Sequence, residues 1–182
     1  MCIVTVNEHN RKMVAELVAS NWGSPLVVSR GRVHSPADLP GFLYMEGSAI
    51  KGIISYDICD NECEVVLLES FEENRGIGGT LLMLAIETAT KLGCSRIWLV
   101  TTNDNTKAMR FYQKKWFDLK TVHHNSIAKA RQLKPEIPLY GNDGIPILHE
   151  IEFEMLLNTS SHQTTCPDGS PAFEHTALVE NE

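Results

Sequence analysis

The stretch ENRGIGGTLLMLAIETATKLG, residues 73–93, places three glycines within four positions directly before a long apolar segment. The apolar residues that follow recur at the spacing of one helix face, which predicts a helix over residues 78–92. Backbone amides at a glycine-rich turn entering a helix form an anion site, because they point outward and the helix end carries a partial positive charge. The sequence therefore predicts a phosphate-binding turn at the start of this helix.

Three kinds of phosphate-binding turn compete for these glycines. The dinucleotide fingerprint G-x-G-x-x-G, read from Gly76 and Gly78, needs a third glycine at the position of Leu81. A P-loop needs a lysine directly after its last glycine, but the next lysine is Lys91. The third kind is a pyrophosphate-binding turn between a strand and a helix of a mixed sheet, and it fits the pattern on both sides.

The pattern along the chain predicts an α/β fold with a mixed, mostly antiparallel central sheet flanked by helices. Short turns separate three strands before the glycines, which is typical of an antiparallel meander, whereas the helix after them requires a crossover between strands. Segment 23–40 is predicted to be irregular because glycine and proline punctuate it. The predicted strands are 2–6, 41–45, 49–58, 63–71, 96–100, 117–122 and 150–157, and the predicted helices are 10–21, 78–92, 106–115 and 126–133.

Length and composition indicate one domain. The chain has 182 residues, of which 43% are hydrophobic, enough for one core. We expect a single domain over 1–157 and a polar, mobile tail over 158–182. The formal charge of -7 argues against a nucleic-acid partner and is compatible with an amine substrate. No membrane partner is expected, because no apolar run approaches the roughly 18 residues of a membrane span.

The cysteines favour a reducing compartment, and the histidines do not predict a metal site. The five cysteines are odd in number and form no CxxC pair, which is typical of free thiols. The N-terminus lacks the basic-then-apolar order of a signal peptide, so a cytoplasmic protein is predicted. Two pairs, His123 with His124 and His149 with Glu150, flank a loop without diagnostic metal-ligand spacing, and no metal is expected.

Two motifs resemble the GNAT superfamily of N-acetyltransferases, in an uncharacterised bacterial-type branch. The segment 73–78, ENRGIG, is similar to the acetyl-CoA pyrophosphate loop [QR]-x-x-G-x-[GA], and 105–112 resembles the N-x-x-A-x-x-x-Y helix of that family. The resemblance covers residues 1–157 and implies a GNAT-like fold. Two positions depart from the family pattern: Glu73 replaces Gln or Arg, and Trp116 replaces a glycine. If position 116 has a left-handed backbone, tryptophan there costs about 1 kcal/mol relative to glycine.

The resemblance implies that acetyl-CoA is the co-substrate and that main chain holds most of it. Amides from residues 75–79 would surround the pyrophosphate, while the strand before the loop would expose its backbone to pantetheine and to the oxyanion. Asn105 would contact the pantetheine arm, cap its helix, or do both. The implied cofactor-binding residues are Val66, Leu68, Arg75, Gly76, Ile77, Gly78, Gly79 and Asn105.

The implied reaction is direct transfer of an acetyl group from the thioester to a primary amine, which makes the protein an N-acetyltransferase. An alkyl amine with a pKa near ~10.4 must lose a proton, and a leaving thiolate must gain one. Tyr112, at the motif position, is the candidate acid. Glu62 and Glu64 are candidate bases on one face of the strand leading to the loop, and Glu69, on the opposite face by alternation, is a third.

Two other functions stay open at this point. A noncatalytic acyl-CoA-binding or regulatory domain would keep the cofactor turn without turnover, and a dinucleotide-binding oxidoreductase is disfavoured by Leu81 and the meander. The acceptor is a small-molecule or peptide amine that the sequence does not name. The segment 126–147 is the place to look for acceptor selectivity or for contacts in a homodimer.

Overall fold

The structure, a computed structural model, describes residues 1–157. The tail predicted over 158–182 lies outside the described residues. The helices are α1 (Arg11–Trp22), α2 (Ile77–Lys91), α3 (Thr106–Gln113) and α4 (Ser126–Leu133), with one 3-10 turn at Asn142–Gly144. The strands are β1 (Cys2–Thr5), β2 (Val27–Ser29), β3 (Arg32–His34), β4 (Gly41–Glu46), β5 (Ala49–Cys59), β6 (Glu62–Ser70), β7 (Arg96–Thr102), β8 (Asp118–His123) and β9 (Glu150–Leu156).

Seven of the strands form one sheet in the order β1-β4-β5-β6-β7-β9-β8. Every neighbouring pair in it is antiparallel except β6 and β7, which run parallel because α2 connects them. The predicted mixed, mostly antiparallel sheet flanked by helices is therefore confirmed. The parallel pair lies at the centre, where the two antiparallel halves of the sheet meet.

Apolar residues cover both faces of this sheet. On one face, α2 packs Leu81, Leu82 and Ala85 against Ile54, and the same cluster includes Phe153 of β9. On the other face, a smaller cluster forms where α1 packs against β4, β5 and β6. The sheet is therefore buried on two sides, so polar groups on its strands need partners within the fold.

Segment 23–40, predicted to be irregular, contains the β2–β3 hairpin, and that prediction was wrong. The two strands pair antiparallel over three positions, from Val27–His34 to Ser29–Arg32. They join through Arg30, which has a φ of 50°, and Gly31. Strands this short and this polar show too few alternations for a period of two to be visible.

A β-bulge at Val66 reverses the side of the sheet toward which the later side chains of β6 point. Ser55 pairs with Leu67 and Tyr56 with Val65, so Val66 is an extra residue opposite β5. The bulge moves Leu67 to the α1 side of the sheet, although Val65 packs on the α2 side. The prediction that Glu69 faces away from Glu62 and Glu64 is therefore wrong, since strict alternation fails across a bulge.

The cysteines of the described residues form no disulfide. The four cysteines within 1–157 are all free thiols, and Cys166 lies outside that range. No helix within 1–157 is long and apolar enough to cross a membrane.

Candidate active site

The parallel strands β6 and β7 separate after a short paired stretch. They pair from Glu62–Arg96 to Glu64–Trp98 and no further. A cavity of about 640 Å³ opens where they diverge. The residues of β6 and β7 that line the cavity are Val65, Val66, Val100, Thr101 and Thr102. Backbone groups that would be hydrogen-bonded in a continuous ladder therefore lie at the cavity wall. The cavity is large enough for a small ligand.

The glycine-rich turn connects the divergent strand β6 to α2. Gly76 has a φ of 75°, which favours glycine, and its carbonyl accepts the first helical hydrogen bond from the Thr80 amide at 2.9 Å. The amides of residues 77–79 precede that bond and have no acceptor within the helix. Ile77 anchors the turn because its side chain is buried in the core beneath α2. The amides of the predicted anion site therefore lie at a helix end that the buried Ile77 side chain holds in place.

Charges around the turn are largely paired. Arg75 contacts Glu46 and Glu72, and its Nη2 lies 2.7 Å from Glu46 Oε1. Both contacts raise the pKa of the Arg75 guanidinium. Glu73 contacts Lys107 at 3.0 Å, so the carboxylate that departs from the family pattern is neutralised by α3.

Lys115 comes from the end of α3 to the same turn. Its Nζ lies 3.2 Å from the position that a Cβ on Gly79 would take. The lysine therefore adds a positive charge beside the amides of the helix end.

The remaining predicted cofactor contacts are divided between the cavity and the core. Val66, at the bulge, and Asn105 both line the cavity. Asn105 is also the cap of α3, since its Oδ1 accepts from the Ala108 amide at 3.1 Å. Leu68 packs partly buried against the α2-side core, and Gly78 faces the Phe111 ring, 3.7 Å from where a Cβ would lie.

Tyr112 lies in the core cluster that includes the buried face of α2. Only 8% of the residue is exposed, and its ring is within about 6 Å of Phe111, Phe117 and Phe153, centroid to centroid. It is not among the cavity-lining residues, and burial raises the pKa of its phenol. A phenol is protonated at neutral pH and can donate a proton, but this hydroxyl does not line the cavity.

Glu62 and Glu64 lie on one face of β6, as predicted, and both are paired with arginine. Glu62 contacts Arg96 with its Oε2 2.8 Å from Nη2. Glu64 is buried, accepting from the Ser29 hydroxyl through one oxygen and contacting Arg32 through the other. Neither side chain is among those that line the large cavity.

The structure adds a carboxylate that sequence reasoning did not select. Glu150, at the start of β9, is 3% exposed and lines the large cavity together with Ser29. The alternation of Glu150, Glu152 and Glu154 along a predicted strand was the available signal, because it places three acids on one face.

A second buried acid lines the cavity just before α3. Asp104 Oδ2 accepts from the amide and side chain of Asn142, each at 3.0 Å, which ties the loop after α4 to the start of α3. Within residues 1–157 no group of three His, Cys, Asp or Glu side chains is arranged to hold a metal ion.

Comparison with known families gives a match over most of the described chain. The sequence model of the acetyltransferase (GNAT) family matches residues 11–116. The uncharacterised protein YdhI of Bacillus subtilis is 39% identical over 159 residues, covering 87% of this chain and 99% of that protein.

Comparison with solved structures gives similar folds. A GNAT family acetyltransferase from Elizabethkingia anophelis, solved with acetyl-CoA bound, is 24% identical with a TM-score of 0.57, covering 65% of this chain and 76% of that one. A Bacillus subtilis acetyltransferase in complex with CoA is 18% identical with a TM-score of 0.61, covering 85% of this chain and 97% of that one.

Proposed function

The chain belongs to the GNAT acetyltransferase family, and from that premise we propose that it is an N-acetyltransferase that uses acetyl-CoA to acetylate a primary amine. The observation that carries the proposal is the separation of β6 from β7 directly before the glycine-rich turn. The thioester arm of acetyl-CoA would lie between the two strands, and its pyrophosphate would lie on the amides of the turn. These two sites are consecutive parts of one β6–α2 unit. The solved structures that hold acetyl-CoA or CoA support this choice of cofactor.

The proposed reaction moves two protons besides the acetyl group. The acceptor ammonium gives one proton to a base, and the neutral amine then attacks the thioester carbonyl. The new N–C bond forms, the C–S bond breaks, and the amine loses its second proton while the leaving thiolate gains one. We assign the oxyanion to main-chain amides around Val66 and Leu68, and the proton for the thiolate to Tyr112.

The cofactor site is tested by calorimetric titration with acetyl-CoA, with NADH as the control ligand. We expect binding in the micromolar range for acetyl-CoA and none for NADH. Gly78→Asp places a carboxylate at the helix end, which suits the helix dipole but repels a pyrophosphate, so the fold should persist while affinity falls at least ~10-fold. Gly78→Asn is the matched neutral control, and its affinity for acetyl-CoA should fall less than that of Gly78→Asp.

Absence of acetyl-CoA binding would contradict the proposed function. Binding without transfer to any amine would instead support the noncatalytic acyl-CoA-binding alternative. The observation that favours this alternative is that Tyr112 is buried in the core and does not line the cavity.

The roles of Tyr112, Glu62 and Glu64 are tested by single replacements. If Tyr112 supplies the proton, Tyr112→Phe should lower kcat by roughly 100-fold and leave acetyl-CoA affinity unchanged. If either glutamate is the base, its replacement with Gln should shift the dependence of the rate on pH. If kcat is unchanged in Tyr112→Phe, Tyr112 is a core side chain and does not supply the proton.

A further inference from the structure

Five glutamates of β6 and β9 lie near the β2–β3 hairpin on one sheet face, and four of them have a cationic partner. Arg96 contacts three of these carboxylates, and Arg30, Arg32 and Lys120 complete the set of cations. The His123 ring also lies 2.7 Å from Glu152. The paired glutamates are Glu62, Glu64, Glu152 and Glu154. This pairing offsets the cost of burying ionised carboxylates in the fold.

Glu150 is the fifth glutamate and differs from the others. Within residues 1–157 it has no ion-pair partner, and its Oε1 accepts one hydrogen bond, from the Arg30 amide at 3.1 Å. Its Oε2 has no donor among the same residues. Because Glu150 is 3% exposed and lines the large cavity, it offers an unpaired carboxylate oxygen to a cationic group bound in that cavity.

The rest of the cavity wall combines apolar surface with an excess of acidic side chains. Trp22, Val27, Ile127 and Ile147 contribute apolar surface. Lys134 is the one cationic side chain among the described lining residues, and its Nζ donates one hydrogen bond to the Leu26 carbonyl at 2.8 Å. Three carboxylates, Asp104, Glu136 and Glu150, line the described wall against this one ammonium, so the wall disfavours the carboxylate of a free amino acid.

We propose that the acceptor is a primary amine on an apolar body without a carboxylate, and that Glu150 binds its ammonium and takes its first proton. This inference rests on the proposed acetyl transfer. The ammonium N–H bond breaks, the proton passes to a Glu150 carboxylate oxygen, and the neutral amine is released to attack the thioester. Glu150 thus takes the role for which Glu62 and Glu64 were the sequence candidates.

The test compares acceptors that differ only near the amine, measured as release of CoA thiol at saturating acetyl-CoA. The panel is 2-phenylethylamine, L-phenylalanine amide and L-phenylalanine. We expect kcat/KM for the first two to exceed that for the free amino acid by at least ~10-fold, because an unpaired carboxylate would meet Glu150. A preference for L-phenylalanine, or no turnover of any amine while acetyl-CoA binds, would overturn the inference.

Variants then separate recognition from proton transfer. Glu150→Gln should lower kcat by about 100-fold and raise KM for the amine, while Glu150→Asp restores part of both and acetyl-CoA affinity stays unchanged. Glu154→Gln, which removes a buried carboxylate on the same strand face outside the cavity, is the control and should keep wild-type kcat. A rise in KM alone would overturn the base role, and failure of the wild type to bind acetyl-CoA would instead count against the proposed function.

Discussion

Trp116 occupies a left-handed backbone conformation, with a φ of 65°, at the end of α3. Its side chain is 86% exposed, so burial does little to offset the backbone cost of about 1 kcal/mol that a residue with a Cβ meets there. Trp116→Gly should therefore raise the free energy of unfolding by about 0.5–1 kcal/mol, measured by urea denaturation. Trp116→Ala is the control, because it removes the indole and keeps the Cβ; equal stabilisation by both variants would assign the effect to the side chain.

A second prediction at single residues concerns thiol reactivity. Burial raises the pKa of Cys63 to about 12, whereas Cys2 is exposed near the N-terminus. Because the thiolate is the reactive form, iodoacetamide at neutral pH should label Cys2 and leave Cys63 unmodified in the folded protein. Peptide mapping by mass spectrometry checks this, with labelling in urea as the control. Equal labelling of both thiols without denaturant would contradict the assigned burial.

Single residues also show what the sequence leaves undetermined. The pairing of Glu64 with Arg32 and the solitary position of Glu150 depend on which cations the β2–β3 hairpin and α4 bring to the sheet. Alternation places a glutamate on a face, but it does not say which distant side chain meets it. The choice among candidate bases therefore required the three-dimensional contacts.

At the level of elements, the β2–β3 hairpin is fixed to the sheet through buried charge. Arg32 of β3 is 48% exposed and contacts Glu64 of β6, which is 3% exposed. Arg32→Gln should destabilise the protein by about 1–3 kcal/mol, the solvent exposure of the arginine reducing the larger loss expected for a fully buried pair.

A double-mutant cycle in urea tests whether that loss belongs to the pair. In a Glu64→Gln background the Arg32→Gln change should cost clearly less than in the wild type, since no buried carboxylate is left unpaired. Additive losses would mean that Arg32 stabilises the hairpin by packing alone.

Regular elements were predictable from the sequence where apolar residues recur at helical or strand spacing. The predicted helix over 126–133 has the bounds of α4, and the glycine-rich turn lies directly before α2 as expected. The bulge at Val66 was not predictable, because the extra residue is an apolar side chain in an apolar run and leaves no mark on composition. Its effect is local in sequence but reverses the face of every later residue in β6.

At the level of the whole molecule, the acidic balance of the chain makes stability depend on pH. Lys120 and then Arg96 lower the pKa of Glu154 in the folded state, with Lys120 Nζ 2.6 Å from Oε1. An unfolded glutamate titrates near ~4.3, so the stability from these contacts is fully present above that pH and is lost as the pH falls through the lower folded pKa. The melting temperature should therefore fall between about pH 5 and pH 3.

Lys120→Met separates this linkage from general acid unfolding. Because Lys120 is 53% exposed, its removal should lower the melting temperature only slightly at pH 7. The same variant should show a shallower decline in melting temperature on acidification, since Glu154 then enters the folded state with a pKa closer to its unfolded value. Lys91→Met, which changes an exposed lysine on α2, is the matched control and should keep the wild-type slope. Parallel curves for the wild type and Lys120→Met would show that acid instability arises from carboxylates other than Glu154.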